Sequence, residues 1–381
     1  LPAAGNLVVR CDSSTALNPG DRAVVRGKIY PFTARHGGYG RLMTRRGYVG
    51  TLYLNRSSLL LSDTLHRELS PKHLSLFLHE RAVARLDRLA LAPDEQALCN
   101  AMTAGDRRSL SPALRAAYSR SGTSHLLAVS GLHVGIVFLL ANLLLWWLPL
   151  FRHGHILRNI AVILLIWLYA ATTGFPPSVV RAALMFSVLQ FALASSSEYV
   201  GMNTLAGVAF VMLLFHPDYL FDISFQLSFI AVAGIIAWGL PLCRLLRTRR
   251  KSIDMLTATL AIGFSASAAT APLISHTFGQ ISVVGLALNP VVILLSYVVV
   301  GSCTLWLVIP GTVLAPLFSD VAGFAARAQN ELIRAAAALP AAALDIRLTT
   351  TQCWIVYGLF IFATLLLWSA ERKKSVSSLP E

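Results

Sequence analysis

Residues 125–150 read HLLAVSGLHVGIVFLLANLLLWWLPL. From Leu126 to Leu148 the run is long enough to cross a bilayer, which takes about 20 apolar residues, yet Ser130 and His133 sit near its head. Further apolar stretches follow at 156–173, 179–194, 202–216, 223–243, 254–275, 281–309 and 351–369. The fold class this predicts is a polytopic α-helical membrane protein of about eight spans. Some spans are expected to be broken: several carry Gly or Pro in mid-run, and 281–309 is interrupted at Gly285 and Asn289-Pro290. Lipid tolerates a broken helix only where the freed backbone groups face protein or a water-filled cavity, a trait of channels and transporters more than of simple anchors. Residues 312–338, with Asp320, Arg327, Glu331 and Arg334, read as an amphipathic helix.

Composition excludes the alternatives. Of 381 residues, 55% are hydrophobic and 13% are charged, against about 25% charged in an ordinary soluble domain. Neither a soluble globular enzyme nor a disordered chain fits. The 32 Lys and Arg outnumber the 18 Asp and Glu, for a net +14. Most of that excess lies in residues 1–124, which hold 18 basic and 9 acidic groups. Within 10–56 nine basic residues face only Asp12 and Asp21. A basic module outside the membrane calls for an anionic partner, either nucleic acid or lipid headgroups. The five cysteines (Cys11, Cys99, Cys243, Cys303, Cys353) form no C-x-x-C pair, so neither a disulfide framework nor a zinc site is expected. The chain opens at Leu1 without Met or signal sequence and reads as a fragment whose upstream residues are missing.

Residues 6–55 read as four or five short strands broken by turn chemistry. Leu7–Cys11 alternates, Asn18-Pro19-Gly20-Asp21 is a turn, Ala23–Tyr30 is a second strand, and Tyr48–Leu54 is a later one, with Gly37-Gly38 setting off Tyr39–Thr44. Such a count over residues 1–56 suits a small all-β barrel of OB type. Its basic and aromatic residues are interleaved: Arg26, Lys28, Arg35, Tyr39, Arg41, Arg45, Arg46 and Tyr48, with Tyr30, Phe32 and Tyr53. Guanidiniums for phosphates and flat rings for stacked bases make a nucleic-acid groove, although a barrel this small also needs some rings for its own core. Residues 57–124 turn helical, with Leu65, Leu69, Leu76, Leu86 and Leu89 among basic residues. They are expected to lie along the membrane surface as amphipathic helices. Residues 125–370 then form the membrane domain and 371–381 a polar tail.

Orientation follows from basic loops. Arg244, Arg247, Arg249, Arg250 and Lys251 belong in the cytoplasm, and counting back through five spans puts residue 125 and the β module on the outer face. The Arg372-Lys373-Lys374 tail lands inside only if 312–338 also crosses or 281–309 folds back.

Ionisable and polar groups in lipid each ask for a role. Ser130 and His133 stand three apart on one helical face, as a nucleophile and base would, but no acid on that helix orients the ring, and helix bracing or a polar path explains the pair as well. His125 and His133 are eight apart, poorly placed for a shared metal. Arg181 follows Pro176-Pro177 at a helix start, where it either snorkels to the interface or faces a passing anion. Asp222, Gln226, Ser224 and Ser228 open another span, and Asp222 is expected to pair with Arg181. Asn289 marks a polar break.

The string HLLAVSGLHVG (125–135), followed in order by PPSVVRAALM (176–185), HPDYLFDISFQLSF (216–229) and APLISHTFGQISVVGLALNP (271–290), resembles the competence domain of the ComEC-type DNA-uptake proteins. Leu98–Gly122 resembles the lead-in to that domain, and residues 6–55 the small OB-like domain outside the membrane. The resemblance implies a multi-pass protein of the bacterial inner membrane, with that domain on the outer, periplasmic side. It implies a channel passing single-stranded DNA into the cytoplasm, with membrane lipids around it. It further implies a DNA receptor at the outer face with pili beyond it, and a cytoplasmic ATPase or helicase. Many members carry a further metallo-β-lactamase-like domain built on an H-x-H-x-D-H metal cluster. No such cluster occurs in this sequence, so no cofactor, no metal and no nuclease activity by that route are expected, and a separate nuclease chain would supply cleavage.

The expected function is therefore a non-enzymatic DNA-translocation channel. Arg26, Lys28, Arg35, Tyr39, Arg41, Arg45, Arg46 and Tyr48 would capture the strand outside, and His125, Ser130, His133, Arg181, Asp222, Gln226 and Asn289 would line or gate the path. An intramembrane hydrolase using Ser130 and His133, and a small-molecule or lipid exporter, are the alternatives; self-association is left open.

Overall fold

A computed structural model of the chain describes residues 6–11, 22–32, 40, 43–44, 47–55, 59–63, 71–195, 201–248, 250–282, 284–309, 314–339 and 342–377. Among the described residues before Pro71 there are five strands: β1 Asn6–Cys11, β2 Arg22–Val25, β3 Ile29–Pro31, β4 Tyr48–Leu54 and β5 Leu59–Asp63. They form two small sheets, β1-β4-β3 and β2-β5. The period of two shows in β4, where Gly50, Leu52 and Leu54 turn inward and Val49 and Tyr53 outward. Two expectations change. The stretch Ala23–Tyr30 is split between β2 and β3, and residues 59–63, read as the start of the helical segment, are strand. The β5 residues Leu59, Leu61 and Ser62 pair with Val25, Val24 and Ala23 of β2. An apolar run as short as Leu59-Leu60-Leu61 has no helical period of its own, so the pairing partner decides it.

Helix α1 spans Pro71–Leu86, α2 Pro93–Thr103 and α3 Pro112–Arg120. Prolines start each, where the missing N–H costs nothing; Ser111 caps α3 by accepting from Leu114 N at 3.2 Å. These helices do not simply rest on a surface. Leu98, Met102, Leu114 and Tyr118 are fully buried, in one core with Val299, Val300, Cys303, Ala326 and Ile333 of two later helices. All of 97–103 on α2 is buried. The Leu–basic mixture that suggested an interfacial segment belongs to α1; α2 is an internal helix because neighbours cover it on every side.

The membrane domain follows as α4 Gly131–Leu144, α5 Gly154–Thr172, α6 Pro177–Ser195, α7 Gly201–Phe215, α8 Ile223–Gly234, α9 Leu240–Leu245, α10 Lys251–Phe278, α11 Val284–Val308, α12 Ala315–Ala337 and α13 Thr350–Ser377. A π-helical turn, Ile235–Gly239, joins α8 to α9 without a break. Among the described residues, five segments are long and apolar enough to cross a membrane: Gly131–Leu150, Gly154–Thr172, Ile223–Leu245, Ile253–Phe278 and Ala287–Val308. Pro177–Leu193, Gly201–Phe215 and Thr350–Leu365 are shorter apolar helices. Large apolar side chains such as Leu164, Phe191, Phe210 and Leu294 point outward, as lipid-facing residues do.

The expected interruption at Asn289-Pro290 is not one. Pro290 lies inside the continuous helix α11, close enough to its start that losing one backbone bond leaves the rest of the ladder intact. After α11, the amphipathic α12 packs along it and brings the chain back, so that Ile281-Ser282 (β6) pairs antiparallel with Ala343-Leu344 (β7). Ser275 Oγ donates to Ile346 O at 2.6 Å beside the end of α10. From there α13 runs along α10 and the π turn, with Tyr357 Oη donating to Ala269 O and Trp238 Nε1 to Thr364 Oγ1.

A polar lock fastens α12 to α2 and α3. Glu95 pairs with Arg327 at 2.7 Å and Asp94 with Arg334. Asp94 and Glu95 also sit in the first turn of α2, where the helix dipole favours carboxylates. Beneath them, Gln329 Nε2 donates to Tyr118 Oη at 3.2 Å and Tyr118 Oη donates to Asn330 Oδ1 at 3.1 Å, all three buried. The Arg327 and Arg334 spacing was legible as amphipathicity, whereas their partners lie more than 200 residues away in sequence.

Candidate functional site

Ser130 is the residue before α4, extended at φ −127°, ψ 178°, and the helix begins at Gly131. Its backbone N–H donates to His133 Nδ1 at 3.0 Å, and its Oγ lies 3.1 Å from the same nitrogen. The pair therefore forms a capping box in which histidine takes the role usually given to Glu or Gln. The nitrogen lone pair that a serine hydroxyl would need as its base is engaged by a backbone N–H. His133 is fully buried and its Nε2 has no hydrogen-bond partner, so no acid orients the ring from behind among the described residues. His125 lies just before, on the short turn Ser124–Leu126.

The second string packs on the first. Ser178 Oγ donates to Val129 O at 2.9 Å. A Cβ added at Gly131 would sit 3.3 Å from Arg181 Nη2, and one at Gly135 would sit 3.3 Å from the Phe186 ring. The tight α4–α6 approach thus depends on two glycines of the string. Arg181 is 6% exposed; it lies over the Phe229 ring at 5.6 Å, contacts Met185 Sδ, and its Nε is unpartnered. Asp222 does not pair with it. Instead Asp222 precedes α8 and its Oδ1 accepts from Ser224 N at 2.8 Å and Phe225 N at 3.3 Å. An Asp one residue before an apolar helix satisfies orphan N–H groups at its start, a local reward that outweighs a distant ion pair. Arg181 thus remains a cation inside the bundle with no carboxylate in salt-bridge range among the described residues.

The third string joins through Phe229 and through a shared apolar cluster of Val180, Leu184 and Met185 with Tyr219 and Phe225. Gln226 Nε2 donates to Leu220 O at 2.8 Å, folding the string onto its own turn. The fourth packs on the lead-in segment: a Cβ at Gly122 would meet Ser282 at 2.4 Å, and Gly285 lies against Ser121 O; just outside the strings, Gly234 of α8 lies against Ala269 of α10. Asn289 Oδ1 is buried without a partner. The first three strings thus meet around Arg181, and the fourth reaches the first through a shared apolar core holding Leu126, Leu127 and Leu288.

On the β module the structure brings Lys28 Nζ 5.8 Å over Tyr30 and Arg10 5.8 Å over Tyr53, and the two rings meet edge to face at 5.8 Å. Tyr30 and Tyr53 are about half exposed. Tyr48 is half-buried on β4 and Arg26 is exposed. Arg35, Tyr39, Arg41, Arg45 and Arg46 lie outside the described residues. Sequence reading missed Arg10. It stands opposite Tyr53 because β1 runs parallel to β4, a pairing with no local signature.

Taken together, these features define a polytopic membrane protein whose sequence-ordered polar motifs converge inside the bundle, with a strand-rich module at its N-terminal side. The chain belongs to the Competence protein family, whose profile matches residues 102–373 and so takes in all four strings. It is of ComEC type: it is 32% identical over 204 residues to ComE operon protein 3 of Bacillus subtilis strain 168, covering 52% of this chain and 24% of that protein. It is also 29% identical over 201 residues to an uncharacterized protein of Aquifex aeolicus strain VF5, covering 52% of this chain and 45% of that one. The matches thus span about a quarter and about half of those relatives. No solved structure matches.

Proposed function

We propose that the chain is the membrane-embedded path for DNA uptake in competence, passing a single strand across the cell membrane to the cytoplasm. The observation that carries this reading is Arg181: a desolvated cation with no carboxylate in salt-bridge range among the described residues, held where the first three family strings meet. Burying a charge unpaired is costly, and a polyanion moving past supplies the missing partner only while it moves. A conducting path needs such donors without a deep trap. His125, Ser130, His133, Gln226 and Asn289 are assigned to the same path, Ser130 and His133 by shaping the start of α4 and Asp222 by fixing the start of α8. The capping-box geometry weighs against a hydrolase built on Ser130 and His133.

In this reading the chain divides into a basic OB-like module over 1–56, with β5 added to it, a helical segment to 124, the membrane domain over 125–370 and a short tail. All eight apolar helices cross. In this reading the return of α12 along α11 carries the chain back across, so that Arg372-Lys373-Lys374 shares a side with Arg244–Lys251, and the basic-loop rule supports the cytoplasm for that side. The β module then faces outward and captures the strand through Arg10, Lys28, Tyr30 and Tyr53, together with Arg26, Arg35, Tyr39, Arg41, Arg45, Arg46 and Tyr48. Its partners are single-stranded DNA, lipid, an outer DNA receptor, a cytoplasmic ATPase or helicase and a separate nuclease, and the chain itself has no catalytic role.

The test is transformation frequency in a competent host lacking its own homologue. Arg181→Gln keeps size and polarity and removes the charge. A charge-assisted hydrogen bond is worth about 1.5–3 kcal/mol, so a drop of roughly 10- to 150-fold at unchanged protein level is expected, partly restored by Arg181→Lys. Wild-type frequency for Arg181→Gln contradicts the reading.

A further inference from the structure

The loop between α2 and α3 and the middle of α1 enclose a cleft of about 500 Å³ lined by His79, Glu80, Asp106, Arg107, Arg108 and Arg115, outside the apolar spans. Its acids are already committed. Asp106 holds Arg108 with two parallel bonds, Oδ1 to Nε at 2.9 Å and Oδ2 to Nη2 at 2.8 Å. That guanidinium keeps the Asp106 carboxyl below the usual carboxylate range. Glu80 adds its attraction to the same Arg108.

Arg107 and Arg115 are left over. Arg115 Nη2 donates to the Arg107 backbone carbonyl, which sets the Arg115 guanidinium beside the start of the loop, and no carboxylate pairs with Arg107 or Arg115 among the described residues. Burial and the neighbouring Arg115 charge hold Arg107 below the ordinary arginine value. Two exposed cations lining one cleft repel, and an anion bound between them relieves that repulsion. Arginine forks match phosphate oxygens two at a time.

The cleft also backs directly on the membrane motifs. A Cβ at Gly105, where φ is +83°, would meet Val129 Cγ2 at 3.2 Å and Thr173 O at 3.7 Å. His79 Nδ1 lies 2.9 Å from Thr172 O, pinning α1 to the α5–α6 turn. Val129, which Gly105 meets, is the residue before Ser130 and accepts from Ser178 of the helix that carries Arg181.

We propose that this cleft is a phosphodiester-binding subsite at the mouth of the membrane path, where Arg107 and Arg115 clamp one backbone phosphate of the strand before it meets Arg181. The proposal rests on the DNA-path reading given above. A nucleic-acid strand fits better than an anionic bilayer surface, because the exposed Glu80 repels a sheet of negative charge but leaves the two arginines open to a single phosphate, Asp106 being buried and held by Arg108. Arg108, tied to Asp106, positions the loop and does not bind.

The test uses the full chain in nanodiscs of phosphatidylcholine, with fluorescein-labelled oligothymidylate titrated across a salt series. Each phosphate neutralised on a single strand releases counterions and contributes about 0.7 to the steepness of log affinity against log salt. The variant Arg107→Gln/Arg115→Gln is therefore expected to lower the slope by about 0.7 for the one clamped phosphate, and Arg107→Lys/Arg115→Lys to keep it. An unchanged slope and affinity in the Gln variant, at a wild-type unfolding midpoint, overturns the subsite while leaving the DNA-path reading in place. So does a Gln variant that loses only its binding to phosphatidylglycerol vesicles, which assigns the cleft to lipid headgroups. A wild-type chain that binds no oligonucleotide at any salt overturns both.

Discussion

Replacing His133 should hurt far more than replacing Ser130, and the geometry says by how much. Ser130→Ala removes a hydroxyl 3.1 Å from Nδ1 but keeps the backbone N–H bond to that nitrogen. The cost is that of a weakened cap, about 0.5–1 kcal/mol. His133→Ala leaves the Ser130 N–H without its acceptor, about 1–3 kcal/mol, and empties the space of a fully buried ring, for about 2–4 kcal/mol in all. His133→Asn returns an acceptor and falls between. A gap of about 2 kcal/mol corresponds to roughly a 30-fold difference in the folded-to-unfolded ratio. The assay is unfolding of the purified chain in mixed micelles, followed by tryptophan fluorescence against increasing sodium dodecyl sulfate, beside transformation frequency for the same variants. In a hydrolase, loss of nucleophile or of base is equally fatal, near a million-fold in turnover. The reasoning is refuted if Ser130→Ala abolishes function with its unfolding midpoint unmoved, for then the hydroxyl acts in chemistry and not in a cap.

Three other outcomes are expected. Tyr118→Phe strips the buried Gln329 amide and the Asn330 carbonyl of a shared partner and should cost about 1–3 kcal/mol in the same unfolding assay. Gly122→Ala and Gly174→Ala both force a side chain onto positive φ, at +74° and +82°, but only the first meets an obstacle, Ser282 at 2.4 Å; Gly174→Ala should cost about 1–2 kcal/mol and Gly122→Ala measurably more, read as folded yield. Because Arg108 depresses the Asp106 carboxyl, its contribution to stability is present above the ordinary carboxylate value and is lost as pH falls through the lowered one; the midpoints of wild type and Asp106→Asn should differ near neutrality and converge below about pH 4.

The membrane class was legible because lipid demands long apolar runs, and every run read from the sequence contains an apolar helix. Local grammar was harder to weigh. Asp222 stands one residue before an apolar run, the standard position of a cap, yet it looked like a partner for Arg181 because a charge in lipid invites pairing. Ser130 and His133 were seen as neighbours on one face, whereas Ser130 lies outside the helix and closes its end. Non-local pairing was not legible at all. Leu59–Asp63 becomes strand only against β2, Arg10 meets Tyr53 only through a parallel register, and α2 is buried only because α11 and α12 return to cover it. The Arg107–Arg115 cleft was hidden for the same reason, since α1 supplies one wall and the α2–α3 loop the other.

The central claim is that a strand of DNA passes Arg181, where the first three strings meet. A photo-crosslinking amino acid placed at Ser178, which touches Val129 beside Arg181, and in a separate variant at Phe191, which is 70% exposed on the apolar outside of the same helix, tests this during uptake of labelled DNA in a competent host lacking its own homologue. The account predicts DNA crosslinks from position 178 and lipid crosslinks alone from position 191. DNA captured equally at both positions, or at neither while the cells are transformed, contradicts it.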